Sequence, residues 1–408
     1  MVTEKSQLHI TGVGEEIAAL AGLPWDQPLE NWPEDPSLTA QRGISRHIVR
    51  LVRSTPEPDS EIYAVKETVQ EFAVREYEAL KELGLRGAPS VSQIAVVDGR
   101  RDAEGNELPC AIVTRFLPYS LPYRVVLSGA VTQHEITNMA NALAYLLVRL
   151  HLLGFWWGDC SLSNTLFRRD ADGFAAYLVD AETGEFQKHL SNGQREHDLD
   201  LARFNVAAEL EDLKLAGVLF PAMDPIRASE SVITRYRRIW KALSEPQILP
   251  ANDRHAVEKA MRSLQDIGFA VEEVDIKLAG DESTLTFTPK LVAPNYHSLR
   301  LKELMGLETE EFQAKRILAS FDRFRSREIE RTPDKSESAQ RWLDEVFYKV
   351  VNSVPKNLKG RVEDAQLFHE VLEHRWYLGE KSGHDLGLDF ATSDYISQVL
   401  PSRMDSGR

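Results

Sequence analysis

The stretch WWGDCSLSNTLF, residues 156–167, sets Asp159 and Asn164 five residues apart in a turn-like segment, with Ser161 and Ser163 on either side of Leu162. An apolar run that reads as a strand follows at once. Taken alone, an Asp and an Asn at this spacing describe any polar surface loop. The meaning of the stretch therefore rests on what flanks it.

A long helix leads in. Thr132 and Glu135 have capping-box spacing, and Ile136, Met139, Leu143, Leu146, Leu147, Leu150 and Leu153 recur at three and four up to Gly154. After the stretch, TLFRRDADGFAAYLVD (165–180) reads as a β-hairpin turning at Asp172 and Gly173 and ending at Asp180, and DLDLARFNVAAELEDL (198–213) reads as a helix.

Further upstream the pattern is β. ISRHIVRLV (44–52) and IYAVKET (62–68), joined by the turn-rich RSTPEPDSE, read as a hairpin. VQEFAVREYEALKELG (69–84) follows as a helix, with Val69, Phe72, Ala73, Tyr77 (or Glu76), Leu80 and Leu83 near one face and Gly84 as its stop. SVSQIAVV (90–97) and LPCAIVTRFL (108–117) complete a small antiparallel sheet with one helix. Residues 1–40 hold a short amphipathic helix, GEEIAALAGL, and then LPWDQPLENWPEDPSL, which reads as an extended arm laid on a domain surface.

The 408 residues suggest two or three domains. With 43% hydrophobic and 27% charged residues the chain is globular in composition. Its net charge of −15 argues against a nucleic-acid partner, which would need clustered Lys and Arg to displace counterions from phosphates. The most basic stretch, ITRYRRIWKAL (233–243), puts Ile233, Tyr236, Ile239, Trp240 and Leu243 at helical spacing and reads as a helix with a solvated basic face. No segment is apolar enough to cross a bilayer and no export signal opens the chain, so a cytoplasmic location is expected. Cys110 and Cys160 are too few for a disulfide framework and read as packed thiols.

Four features thus stand in order: a Lys in a strand, a Glu in the next helix, an Asp with an Asn five on, and an Asp closing a hairpin. Taken singly, Lys66 is an edge-strand lysine, Glu76 a solvated helix residue and Asp180 a turn residue. Together they are the set that phosphoryl transfer from ATP requires: a cation for the phosphates, a carboxylate to hold it, an Asp to orient the acceptor, and an amide and a carboxylate for Mg²⁺.

In this order the sequence resembles the protein-kinase-like superfamily, and most of all its small bacterial aminoglycoside and lipopolysaccharide-core kinases. YAVKE resembles the lysine strand, REYEALKELGLRGAPSV the first helix and turn, IVTRFLPYS the hinge, WWGDCSLSN the catalytic loop, YLVDAET the metal-binding loop and DLDLAR the helix that anchors the catalytic loop. The resemblance covers about residues 42–220. It implies an α+β fold with an antiparallel β N-lobe (41–117) and a helical C-lobe (118–224), preceded by the arm (1–40). A mostly helical C-terminal domain with one β-hairpin (225–408) follows. The whole chain also resembles an uncharacterised bacterial family that joins such a region to a C-terminal domain of unknown function.

By position, the resemblance makes Lys66 the contact to the ATP phosphates and Glu76 its partner, with Glu78 as the alternative. Asp159 becomes the catalytic base, Asn164 and Asp180 the Mg²⁺ ligands, and Thr114, Arg115, Phe116 and Leu117 the nucleotide-binding hinge. Asp200 becomes the loop anchor, with Asp198 in reserve. Three departures accompany it. The phosphate loop has Gly43 alone, with Arg42, Arg46 or His47 as substitute cations; Trp157 stands where many kinases have His; and Ser161 replaces a Lys, which disfavours a Ser/Thr protein kinase. The implied activity is transfer of the γ-phosphate of Mg-ATP to a hydroxyl of a small molecule, sugar or glycolipid. The alternatives are a nucleotide-binding pseudokinase scaffold whose C-terminal domain binds a protein partner, and protein AMP transfer on the same fold.

Elsewhere, HEVLEH (369–374) spaces its histidines five apart, about 140° around a helix, which is wrong for a zinc-protease motif and reads as a surface helix. Near the C-terminus, HRWYLGEKSGHD (374–385) concentrates Trp376, Tyr377 and charges, and reads as a docking segment.

Overall fold

The computed structural model describes residues 8–12, 14, 16–33, 48–55, 57, 60–128, 132–251, 253, 255–278, 283–328 and 334–403. The chain divides into two compact units: Met1–Arg168 with Ala176–Tyr236 and Gly407–Arg408, and Arg169–Ala175 with Arg237–Ser406.

The first unit opens with strand β1 (His9–Gly12) and helix α1 (Glu16–Leu20), followed by β2 (Val49–Arg53), β3 (Ile62–Thr68), α2 (Gln70–Leu85), β4 (Gln93–Asp98) and β5 (Cys110–Arg115). The five strands form one antiparallel sheet in the order β1-β4-β5-β3-β2. Alternation along β3 decides where its side chains go. Tyr63 and Val65 join a buried cluster with Leu20, Trp25, Leu29, Trp32, Val97 and Val113, whereas Lys66 turns to the face covered by α2. The segment read as a surface arm thus contributes an edge strand and one side of the sheet's core. Arg100, almost fully buried, fixes it by donating to the carbonyls of Trp25 and Gln27 and to Glu67.

Helix α2 corrects two expectations. Val69 and Phe72 are exposed, while Glu76 and Tyr77, the two alternatives for the inner face, are both buried beside Ala73, Leu80 and Leu83. Its stop is Gly87 rather than Gly84, because the chain leaves the helix through a positive φ that only Gly87 supplies cheaply.

The chain continues through β6 (Ser120–Pro122), α3 (Tyr123–Val126), α4 (Gln133–Leu152), β7 (Phe155–Trp156), β8 (Thr165–Asp170), β9 (Gly173–Leu178), β10 (Glu185–Phe186) and α5 (Asn192–Leu215). Thr132 and Glu135 make the expected capping box at α4, and its apolar row from Ile136 to Leu150 is buried. At Gly154, φ is +77° and a Cβ would lie 2.3 Å from the Gln187 carbonyl oxygen, so glycine is required there to turn the helix into β7.

Helix α6 (Pro225–Ser244) contains the division between the units. The second unit adds β11 (Gln247–Pro250), α7 (Ala256–Asp266), β12 (Phe269–Leu278), β13 (Thr284–Pro294), α8 (Tyr296–Met305), α9 (Glu311–Glu328), α10 (Lys335–Trp342), α11 (Tyr348–Val351), α12 (Asp364–Ser382) and α13 (Leu388–Gln398). The expected hairpin is β12–β13, and β11 extends it to three strands. A turn of π-helix, Leu343–Phe347, joins α10 to α11, and Trp342 and Phe347 pack in a core with Phe321, Phe368 and Tyr395. The fold is therefore α+β: an antiparallel sheet with one packed helix, a helical region, and a mostly helical C-terminal unit with a small sheet. Among the described residues no helix is long and apolar enough to cross a membrane.

Candidate functional site

Three elements deliver charge to one point in the first unit. Lys66 Nζ lies 2.6 Å from Glu76 Oε2, 2.9 Å from Asp180 Oδ2 and 3.5 Å from Glu182 Oε2. Glu76, not Glu78, is the lysine's partner; Glu78 is exposed and pairs with Lys81 along α2. Glu182, two residues after Asp180, was missed by sequence reasoning, although its spacing in DAET is what returns it to the same side.

The electrostatics are unbalanced. Three carboxylates face one ammonium, and the oxygens of Glu76, Asp180 and Glu182 lie within 4.8 Å of one another. Burial pushes the Glu76 carboxyl up to about 8, with the Asp180 charge adding to the effect and Lys66 opposing it. Burial works against the Lys66 charge too, but Glu76 and Asp180 outweigh it and raise its pKa above the ordinary lysine value. Such a pocket takes up a proton or a cation. An all-oxygen donor set suits a hard divalent ion of the Mg²⁺ type.

The opening stretch is a tightly tied loop. Asn164 Nδ2 donates to Asp159 Oδ2 at 2.9 Å and to the Asp159 carbonyl at 3.1 Å, while Asn205 Nδ2 reaches Asp159 Oδ1 at 3.3 Å. Both carboxylate oxygens are thereby oriented. The Asn164 carbonyl accepts from Val179 N, next to Asp180, at 3.1 Å. Ser161 accepts from Asn164 N through Oγ, so it braces the loop. Gly158 has φ +75°, and a Cβ there would crowd the Trp156 ring and the Thr183 carbonyl.

The loop's anchor is Asp198, not Asp200. Asp198 is fully buried; Oδ2 accepts from Trp157 N and Oδ1 from Gly158 N, both at 2.8 Å, and His151 Nε2 lies 3.1 Å from Oδ2. Asp200 is exposed and pairs with Arg203 one turn along α5. From the same helix Glu209 accepts from the backbone N–H groups of Leu162 and Ser163. Asn205 and Glu209 were not singled out from sequence; their positions at i+7 and i+11 from Asp198, on one face of α5, are the signal that could have found them. Trp157, fully buried, donates from Nε1 to the Asp180 carbonyl at 2.9 Å.

The expected hinge residues leave the end of β5. Thr114 is buried, Arg115 forms ion pairs with Glu16 and Glu61, Phe116 N donates to the Ile62 carbonyl at 2.9 Å, and the Leu117 carbonyl accepts from Ser120. Gly43 and Arg46 lie outside the described residues. Cys160 beside Asp159 is fully buried and burial pushes its thiol well up, in keeping with a packed thiol.

In the first unit an antiparallel sheet holding a Lys–Glu pair is thus followed by a helical region with an Asp/Asn loop and an Asp-bearing turn. Residues 238–400 match the family model described as "Domain of unknown function (DUF4032)". A solved structure described as WaaP in complex with acyl carrier protein is similar over 64% of this chain and 99% of its own, at 15% identity and a TM-score of 0.36. No curated protein matches the sequence.

Proposed function

We propose that the first unit is an ATP-dependent phosphotransferase that moves a phosphoryl group to a hydroxyl acceptor, with a small molecule, sugar or glycolipid favoured over a protein serine or threonine. The observation that carries this reading is Lys66 seated between Glu76 and Asp180, beside a loop that orients both oxygens of Asp159.

In this reading Lys66 holds the nucleotide phosphates, and Glu76 fixes the ammonium so that little freedom is lost on binding. Asp180 and Asn164 hold Mg²⁺, with Glu182 adding charge to the same pocket. An Mg²⁺ ion held there would neutralise charge on the transferring phosphoryl group. Asp159 orients the acceptor hydroxyl and takes its proton, while Asn164 and Asn205 keep the carboxylate aimed. The backbone from Arg115 to Leu117 receives the nucleotide base. The missing Lys at Ser161 supports the preference for a non-protein acceptor.

The test is mass spectrometry of products from purified protein, Mg-ATP and a panel of hydroxyl acceptors. ADP with a phosphorylated acceptor supports the proposal. AMP-modified protein, or unreacted ATP across the whole panel, contradicts it.

A further inference from the structure

A second ligand set stands apart from the Lys66 pocket and differs from it in kind. Within the second unit, His369 Nε2 lies 3.0 Å from Asp172 Oδ1 and 3.4 Å from Glu373 Oε2. All three ligand atoms fall within 4.8 Å of one another. Two carboxylates from separate elements therefore converge on one imidazole nitrogen.

The geometry has the scale of a single transition-metal site. Bonds of about 2.0–2.2 Å to nitrogen and oxygen in a tetrahedron imply edges of roughly 3.4 Å between ligand atoms. His369 and Glu373 sit at i and i+4 on α12 and so share a face. This overturns the reading of HEVLEH as a surface helix, since His369 and Glu370 are buried. His374, the other histidine of that stretch, turns away to Asp394.

Asp172 is held in place before any ion arrives. It occupies the turn between β8 and β9, where Ala171 has φ +52°. Gln366 of α12 bonds both the N–H and the carbonyl of Ala171. Asp170 accepts from the N–H groups of Phe312 and Gln313. The remaining oxygen of Asp172 takes Arg316 Nη2 at 2.5 Å, the outer partner that orients a metal-binding carboxylate.

We propose that Asp172, His369 and Glu373 bind one Zn²⁺ ion, with the exposed sides of the two carboxylates leaving a position for water. The imidazole donor distinguishes this site from the all-oxygen set around Lys66 and favours zinc over magnesium. Its ligands lie 197 residues apart in sequence, so the ion closes a long loop and stabilises the folded chain.

The experiment uses the full chain stripped with chelator, then titrated with Zn²⁺ by competition with a chromophoric chelator and with Co²⁺ by visible absorption. The expected result is one ion per chain, a tetrahedral Co²⁺ spectrum and a higher melting temperature. Affinity should fall at least tenfold in Glu373→Gln and Asp172→Asn, while Asp180→Asn leaves it unchanged. Both altered ligands have exposed side chains, so these variants should fold without metal. Equal zinc uptake by the wild type and both ligand variants, or no stoichiometric uptake at all, overturns the proposal and leaves the cluster as an imidazolium paired with two carboxylates.

Discussion

The indole of Trp157 donates a 2.9 Å hydrogen bond to the backbone carbonyl of Asp180, tying the loop that carries Asp159 to the turn that carries the carboxylate on Lys66. Trp157→Phe keeps an aromatic ring in the buried slot but removes the donor. Stability should fall by about 1 kcal/mol, the net worth of one hydrogen bond. Turnover should fall more than nucleotide affinity, because the two loops lose their shared register. Urea unfolding and steady-state kinetics on the variant check both parts; unchanged turnover would detach Trp157 from the site.

Asp159→Asn should keep nucleotide binding and lower turnover by about 10²–10⁴, the usual contribution of a positioned acid or base. Asn164 and Asn205 already hold the group in place, so the variant changes its chemistry more than its position. A variant that turns over at the wild-type rate removes Asp159 from the role of base.

The two aspartates of DLDLAR should behave oppositely. Asp198→Ala strips partners from two loop N–H groups and from His151, and breaking a buried set of this kind costs about 3–5 kcal/mol. Asp200→Ala removes an exposed carboxylate and should change stability by less than about 0.5 kcal/mol. Chemical denaturation of the pair is the check, and equal effects would contradict the anchoring role of Asp198.

Glu76 gives stability a pH signature. Its folded pKa, about 8, lies above the ordinary 4.5, so the folded state holds more protons than the unfolded state between these values. Its contribution is present in full below about pH 4.5 and is lost as pH rises through about 8. Glu76→Gln should flatten that slope. Urea midpoints at pH 5, 6.5 and 8 measure it, and parallel curves for the two proteins would show that Glu76 is not the group responsible.

Much of the site was legible because its residues sit at fixed offsets within single elements. Lys66 in an alternating strand, the capping box before α4 and the Asp159–Asn164 spacing all survive folding intact. What stayed hidden depends on contacts across the chain. Whether Asp198 or Asp200 anchors the loop turns on which face of α5 is buried, and the helix carries charge on both sides. Glu76 is buried on the inner face of α2 because Lys66 meets it from β3, and apolar spacing by itself left Tyr77 or Glu76 open at that place. Trp25 and Trp32 looked like a surface arm because their segment has no helix or strand period; only the sheet face they cover reveals them as core. The Asp172, His369 and Glu373 set joins a hairpin turn to a helix far along the chain, and no local pattern announces it.

The central claim is a Mg-ATP site around Lys66, Asp159 and Asp180. A thermal melt of the wild type in buffer, in ATP with Mg²⁺ and in ATP with EDTA, repeated on Asp180→Asn, tests it most directly. Ligand at 100 times its dissociation constant stabilises the native state by about 2.7 kcal/mol, a shift of a few degrees. The expected result is a shift that requires Mg²⁺ and disappears in the variant. A folded wild-type protein that shows no shift with Mg-ATP, or a shift that Asp180→Asn retains in full, contradicts the account.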